Sequence, residues 1–367
     1  MESMGCLVVR NFLVFSILLI ALATLGRSAV GQVLQPLKPV VTDSQGNSAE
    51  EASAEIDTPG QPMDEKDMLS RLSQAAKRLE NNQKFDLKYT FTEGETILWR
   101  VEHTATTDTR VQVDEETSAS RSLSMLQWQV TDVDTLGNTT IALTLKSAVM
   151  WQQTDQNDPI TYDSRKHRGE VPEVYRSFAD WLGVPMATYK IDPQGKVIDR
   201  KEVYYNVKFG VGNITMPLPG HSVRIGDAWH SPGSIGVKTP DGIHKSIRTR
   251  IEYRLQRVSD GIALVSFDTQ VLTPVDDPRV ESQLIQQLSQ GIIRFDMNQG
   301  QMISKQLGWS EKCLGFKGPE SSLSYLAKYD VRKVEQKSDS ETVNVTEGVD
   351  RLQPVIRLSD DGPIFRW

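Results

Sequence analysis

The sequence predicts a mainly β protein: a curved antiparallel sheet, or sheets, from two related halves that each carry one short helix. Three observations predict it. Apolar and polar residues alternate at a period of two over much of residues 85–335. Clusters of Asp, Asn, Gly and Pro punctuate that alternation as turns. The same order of parts is legible twice, over about 87–202 and about 222–331.

In the first half, Leu87, Tyr89 and Phe91 alternate with polar residues until Gly94 breaks the run. Ile97, Trp99 and Val101 alternate again, as do Leu126, Trp128 and Val130, then Ile141, Leu143 and Leu145. Asp134-Thr135-Leu136-Gly137-Asn138 between the last two runs predicts a hairpin loop. Such strands have one buried and one wet face. Pro172 to Leu182 predicts a helix with Val174, Tyr175, Phe178, Trp181 and Leu182 on one side and Gly183 closing it. Ala187–Ile191, the turn Asp192-Pro193-Gln194-Gly195 and Lys196–Arg200 complete the unit.

In the second half, Gly226-Asp227-Ala228-Trp229 echoes Gly94-Glu95 and the strand of Trp99. Ile251, Tyr253 and Leu255 alternate, Asp260-Gly261 turns the chain, and Ala263, Val265 and Phe267 return. Pro278 to Gln290 predicts the second helix, with Asp277 as N-cap, Val280, Leu284, Ile285 and Leu288 inward and Gly291 closing it. Ile292–Phe295, the turn Asp296 to Gly300, and Gln301–Trp309 follow. Leu323, Tyr325, Ala327, Tyr329 and Val331 mark a last strand.

The ends read differently. Residues 1–31 have the form of an export signal: Arg10 supplies positive charge, and Phe12–Leu25 an apolar core of 14 residues. That core is short of the roughly 20 that span a bilayer. Ala29-Val30-Gly31 predicts cleavage between Gly31 and Gln32. Cys6 precedes the apolar core and is no lipidation site, so the expected location is the periplasm or cell envelope. Residues 32–62 are polar and read as a disordered tether, and 63–84 contain an amphipathic helix about Met68, Leu69, Leu72 and Leu79. Residues 336–367 read as a loose tail; Phe365-Arg366-Trp367 ends like a membrane barrel, but Gly362-Pro363 breaks the strand it would need.

The signal holds two arginines and one glutamate, so its loss takes the formal charge from −7 to about −8. That balance argues against nucleic acid, which wants a basic surface, and against an anionic bilayer as the main partner. A membrane enters only through an uncleaved signal. Cys313 is the single cysteine beyond the signal, so no internal disulfide is available, and its place at a strand end predicts burial.

The segments Leu87-Lys88-Tyr89, Gly94-Glu95-Thr96, Val130-Thr131-Asp132, Ile191-Asp192-Pro193-Gln194-Gly195 and Phe295-Asp296 resemble those of an uncharacterised family of exported, β-rich bacterial proteins. The resemblance covers about residues 85–335 and implies compartment and fold, with no activity, ligand or catalytic residue.

No motif points to a catalytic centre or cofactor. No two of His103, His167, His221, His230 and His244 have the close spacing of a zinc pair. His103 continues the apolar phase of Trp99 and Val101 and reads as a strand-end residue. Gly220-His221-Ser222 lacks the further glycine of a nucleophile elbow, and Gly210-Val211-Gly212 the third glycine of a pyrophosphate loop. The loops at Asp132–Asp134 and Asp296–Gly300 start like calcium loops, yet Leu143 and Leu307 stand where the bidentate acid belongs. Arg248, Arg250 and Arg254, with Glu252 among them, read as a solvated strand face. Trp151, Tyr175, Phe178 and Trp181 are the candidate ligand-binding residues, equally suited to an ordinary core. The leading expectation is an exported non-catalytic binding or structural module for an unknown protein or apolar small molecule. One alternative is a carrier of an apolar ligand or lipid in a cup-shaped sheet. The other is a hydrolase using dispersed carboxylates such as Asp163, Glu170 or Asp180.

Overall fold

The computed structural model describes Ser70 and residues 83–166, 171–202 and 215–335. The export signal with Gly31 and Gln32, the tether, nearly all of the amphipathic segment and the tail lie outside these residues, as do Gly210–Gly212, His167 and Glu170.

The protein is mainly β. The strands are β1 (Thr96–Val111), β2 (Asp114–Val133), β3 (Thr139–Thr154), β4 (Ile160–Asp163), β5 (Pro185–Ile191) and β6 (Val197–Glu202). The second half adds β7 (Ala228–Lys238), β8 (His244–Ser259), β9 (Ile262–Val271), β10 (Gln290–Asp296), β11 (Gln301–Leu314) and β12 (Ser321–Val334). They form one antiparallel sheet in the order β6-β5-β3-β2-β1-β12-β11-β10-β9-β8-β7, with β4 paired to β3. The sheet is not closed. Each half is a meander interrupted after its third long strand by a helix. In the first half this is a 3-10 turn (Glu173–Tyr175) running into α1 (Arg176–Asp180); in the second it is α2 (Pro278–Leu284).

Strand phase follows the sequence where the inner face is apolar. Ile97, Trp99, Leu126, Trp128, Ile141 and Leu143 are buried, with Trp99 against Trp128 at 4.8 Å between ring centres. β1 and β2 run far beyond the apolar alternation, as a 16- and a 20-residue strand. Their extensions carry Ala105 and Thr107 opposite Ser120 and Ser118 on the inner face, residues whose size rather than polarity marks the pleat. His103 therefore sits mid-strand, not at a strand end.

The segment Leu87–Phe91 does not join the sheet as a strand. It stays extended and buries Leu87, Tyr89 and Phe91, but its backbone bonds go to loops. The Tyr89 amide donates to the Pro193 carbonyl (2.9 Å) and that of Thr90 to Gly300 (3.0 Å), while Phe85 and Val223 exchange two bonds. A second segment, Thr215–Val223, lies beside it. The Met216 amide donates to the Tyr89 hydroxyl (2.8 Å), and that of Leu218 to Gln194 (2.7 Å). The Trp229 indole of edge strand β7 donates to Pro217 (2.7 Å). These two segments thus join the β5–β6 turn near one edge to β7 at the other, which curls the sheet and closes one end of its concavity. Residues from both edges accordingly share one apolar cluster, from Ile191 to Trp229. We call this end the base and the opposite end the rim.

Both helices lie toward the rim. Pro172 precedes the 3-10 turn, and Gly183 follows α1 at φ +78°, a conformation a side chain disfavours. The Asp277 carboxylate caps α2 by accepting the Arg279 amide at 2.9 Å. α2 is shorter than the periodicity predicts, and Gly291 does not close it: Gly291 lies inside β10, opposite Leu307 and Phe267. There the strands approach so closely that a Cβ would strike the Gln306 carbonyl. α2 buries Val280 and Leu284 against Ile235, Val237 and Ile247, and Ile285 against Trp309 and Tyr325. Cys313 is fully buried, its thiol 3.3 Å from the Pro278 carbonyl and pushed up in pKa by burial.

Candidate functional site

Directly paired residues share a face of the sheet, so the inner surface can be followed in layers from base to rim. One layer runs Val101, Val331, Lys305, Ile293, Val265 and Leu255. The next toward the rim is His103, Tyr329, Leu307, Gly291, Phe267 and Tyr253, extended on the other side by Ser122. Beyond it come Ser120, Ala105, Ala327 and Trp309, then Ser118, Thr107, Tyr325 and Glu311. The first of these layers is apolar apart from one lysine. The others mix small, polar and aromatic groups.

Lys305 is the outlier. It is 9% exposed, and its ammonium lies 5.5 Å from the centre of the Phe267 ring. It makes no ion pair or hydrogen bond among the described residues. Burial lowers its pKa to about 8 from the ordinary 10.5. His103, whose ring centre is 6.1 Å from that of Tyr329, is likewise enclosed, and burial lowers its pKa to about 4. Tyr329 is pushed up to about 12 by the same cause. Both rings are surrounded by protein, yet both are only half-buried by accessible surface. A side chain enclosed in this way keeps such surface only where it borders a hollow.

Unpartnered polar atoms mark the same interior. Among the described residues, His103 Nε2, Trp309 Nε1, Tyr325 Oη and Ser118 Oγ are buried without a hydrogen-bond partner, as is Trp99 Nε1 nearer the base.

The four candidate aromatics are not brought together. Tyr175 is buried and stacks on Tyr162 at 6.0 Å, and Phe178 and Trp181 lie 5.4 Å apart on the same cluster. Trp151 does not join them. Its neighbour Met150 is buried and pairs with Tyr162, so the pleat turns Trp151 to the outer face, opposite Arg121 and Thr161. The sequence reading missed Lys305 and the inner serines. A lysine in the phase of Ile303, Leu307 and Trp309, and serines at every second position from Ser118 to Ser124, were the available signals.

The other motifs serve the fold. Asp134, Asp192 and Asp296 each accept two backbone amides of their own turns. On the outer face, Arg254 pairs with Glu252 (2.7 Å), which also meets His230 (3.1 Å), and Arg250 donates to Gln270. Ser222 donates to Asp86. Asp163 is held by Arg165 at 2.9 Å through both carboxylate oxygens, which keeps its pKa low, and Asp180 is exposed. Among the described residues no three His, Cys, Asp or Glu side chains converge as metal ligands, and no helix is long and apolar enough to cross a membrane.

No protein-family model and no curated protein matches the chain. Solved structures resemble it only loosely. The translocator domain of the autotransporter NalP from Neisseria meningitidis is 7% identical, with 73% of this chain and 96% of that one covered and a TM-score of 0.25. DynF from the dynemicin biosynthesis pathway of Micromonospora chersina is 8% identical, covering 70% and 87%, at 0.19. OccK7 (OpdD) of Pseudomonas aeruginosa is 9% identical, covering 66% and 99%, at 0.22. Likeness at this level carries no functional argument. The class the fold defines is an open, curled antiparallel sheet with a plugged base.

Proposed function

We propose that this chain is an exported, non-catalytic binding protein that takes an apolar small molecule into the concavity of its sheet. The observation that carries the reading is the unpaired ammonium of Lys305 on the inner face, beside the enclosed His103 and Tyr329 rings that keep accessible surface. A core filled only by its own side chains would leave such rings no accessible surface and would not hold an unpaired ammonium. The carrier reading thus moves ahead of a module that binds through its outer surface. The hydrolase reading lacks support, because Asp163 is tied to Arg165 and Asp180 lies in solvent. Export rests on the apolar segment Phe12–Leu25 and on the resemblance to exported proteins. The repeated element order on either side of the β1–β12 pairing supports an internal duplication as the origin of the cup.

Titration of the delipidated full chain with N-phenylnaphthylamine tests the reading. Saturable fluorescence enhancement near one probe per chain is expected. Enhancement that rises without saturation, or none at all, would contradict an interior site.

A further inference from the structure

Resting on that reading, we infer that the interior site takes an amphiphile with a singly charged anionic head, seated at Lys305 near the plugged base.

The inner-face neighbours of Lys305 across the strands are Val331 and Ile293, and its nearest aromatic is Phe267. None can neutralise it. The carboxylate on the same face of β11 is Glu311, six residues on and so roughly 20 Å away along the strand. It belongs to the rim layer, where burial together with Asp268 and Glu281 pushes its pKa up. A buried ammonium without a counter-ion is costly, and an entering anion removes that cost with charge-assisted hydrogen bonds. One cation matches one negative charge, which selects a carboxylate or a phosphodiester over a doubly charged phosphate monoester.

The neighbouring groups suit such a head. Tyr329 and His103 stand in the next layer, and the phenol donates a hydrogen bond to an oxyanion. The low pKa of His103 keeps it neutral, so it brings no competing charge at neutral pH.

The test uses the delipidated full chain and displacement of N-phenylnaphthylamine by oleate, by oleyl alcohol and by phosphatidylglycerol. Oleate or phosphatidylglycerol should displace the probe at least about tenfold more tightly than the alcohol. Lys305→Met should abolish that preference while leaving the affinity for oleyl alcohol unchanged. The alcohol also serves as the folding control for the variant. Whichever anion shows the Lys305-dependent preference identifies the head as carboxylate or phosphodiester. Equal binding of alcohol and anions, or a preference that survives Lys305→Met, overturns the inference and leaves the interior site standing. Failure of the probe and of every competitor to bind overturns the interior site itself.

Discussion

The ammonium of Lys305 lies 5.5 Å above the centre of the Phe267 ring, inside the sheet. A ring face attracts a cation but does not replace a counter-ion, so this lysine works against folding. In the unfolded chain it titrates near 10.5, and in the fold at about 8. Between those values the unfolded state binds more protons, so stability rises with pH across the window, and the full penalty is present below pH 8. Lys305→Met should therefore stabilise the protein at neutral pH by up to roughly 3 kcal/mol, a gain that shrinks as pH climbs to 10.5. Urea titrations of both proteins across that range check it; a difference independent of pH would show that Lys305 is not buried as a cation.

His103 predicts the opposite end of the pH scale. Its folded pKa is about 4 against an ordinary 6.5. The unfolded state again holds more protons between the two values, so the contribution is fully present above pH 6.5 and is lost as pH falls toward 4. Acid should cost the native protein up to roughly 3 kcal/mol over that interval through this residue. His103→Leu should flatten that part of the curve, measured by urea unfolding at stepped pH. An unchanged slope would mean that the imidazole is protonated inside the sheet.

The base plug turns on Tyr89. Its hydroxyl accepts the Met216 amide at 2.8 Å, and its ring packs edge-on to Phe295 at 5.2 Å. Tyr89→Phe keeps the ring and orphans the buried amide, which should cost about 1–3 kcal/mol. Gly195→Ala should cost at least as much. Gly195 sits at φ +76°, and a Cβ there would run into the Tyr89 ring and the Met216 carbonyl. Thermal unfolding of both variants is the check; near-native melting of Gly195→Ala would mean that the plug is not packed as described.

Cys313 reports on α2. Its thiol is fully buried against the Pro278 carbonyl at the start of that helix. Thiol reagents should modify the native protein slowly, and at the rate of a free thiol in denaturant. Fast native labelling would show that α2 leaves the sheet readily.

How much of this was legible follows from what carries each feature. The apolar runs at Trp99, Trp128, Leu143, Tyr253 and Val265 placed their strands because their inner positions meet the dry core. The far halves of β1 and β2 were silent. Their inward positions are His103, Ala105, Thr107 and alternating serines, and polarity no longer distinguishes the faces. Leu87–Phe91 alternates like a strand because both its sides pack or bond, but its partners are loops. Gly291 looked like a helix terminator because spacing along the chain cannot reveal a close approach between neighbouring strands. Tyr175 was found and belongs to the apolar cluster, whereas Trp151 needed the pairing of Met150 with Tyr162 to fix its face. The candidate site was mostly illegible for the same reason. Its residues come from strands far apart in sequence, and only the register brings Lys305, Tyr329 and His103 to adjacent layers.

Native mass spectrometry of the protein purified from its own host, set beside the same sample denatured, tests the central claim most directly. The account predicts extra mass on the folded chain that disappears on denaturation and extracts into organic solvent as an acidic amphiphile. A folded mass equal to the bare chain, from material never exposed to detergent or solvent, would contradict it.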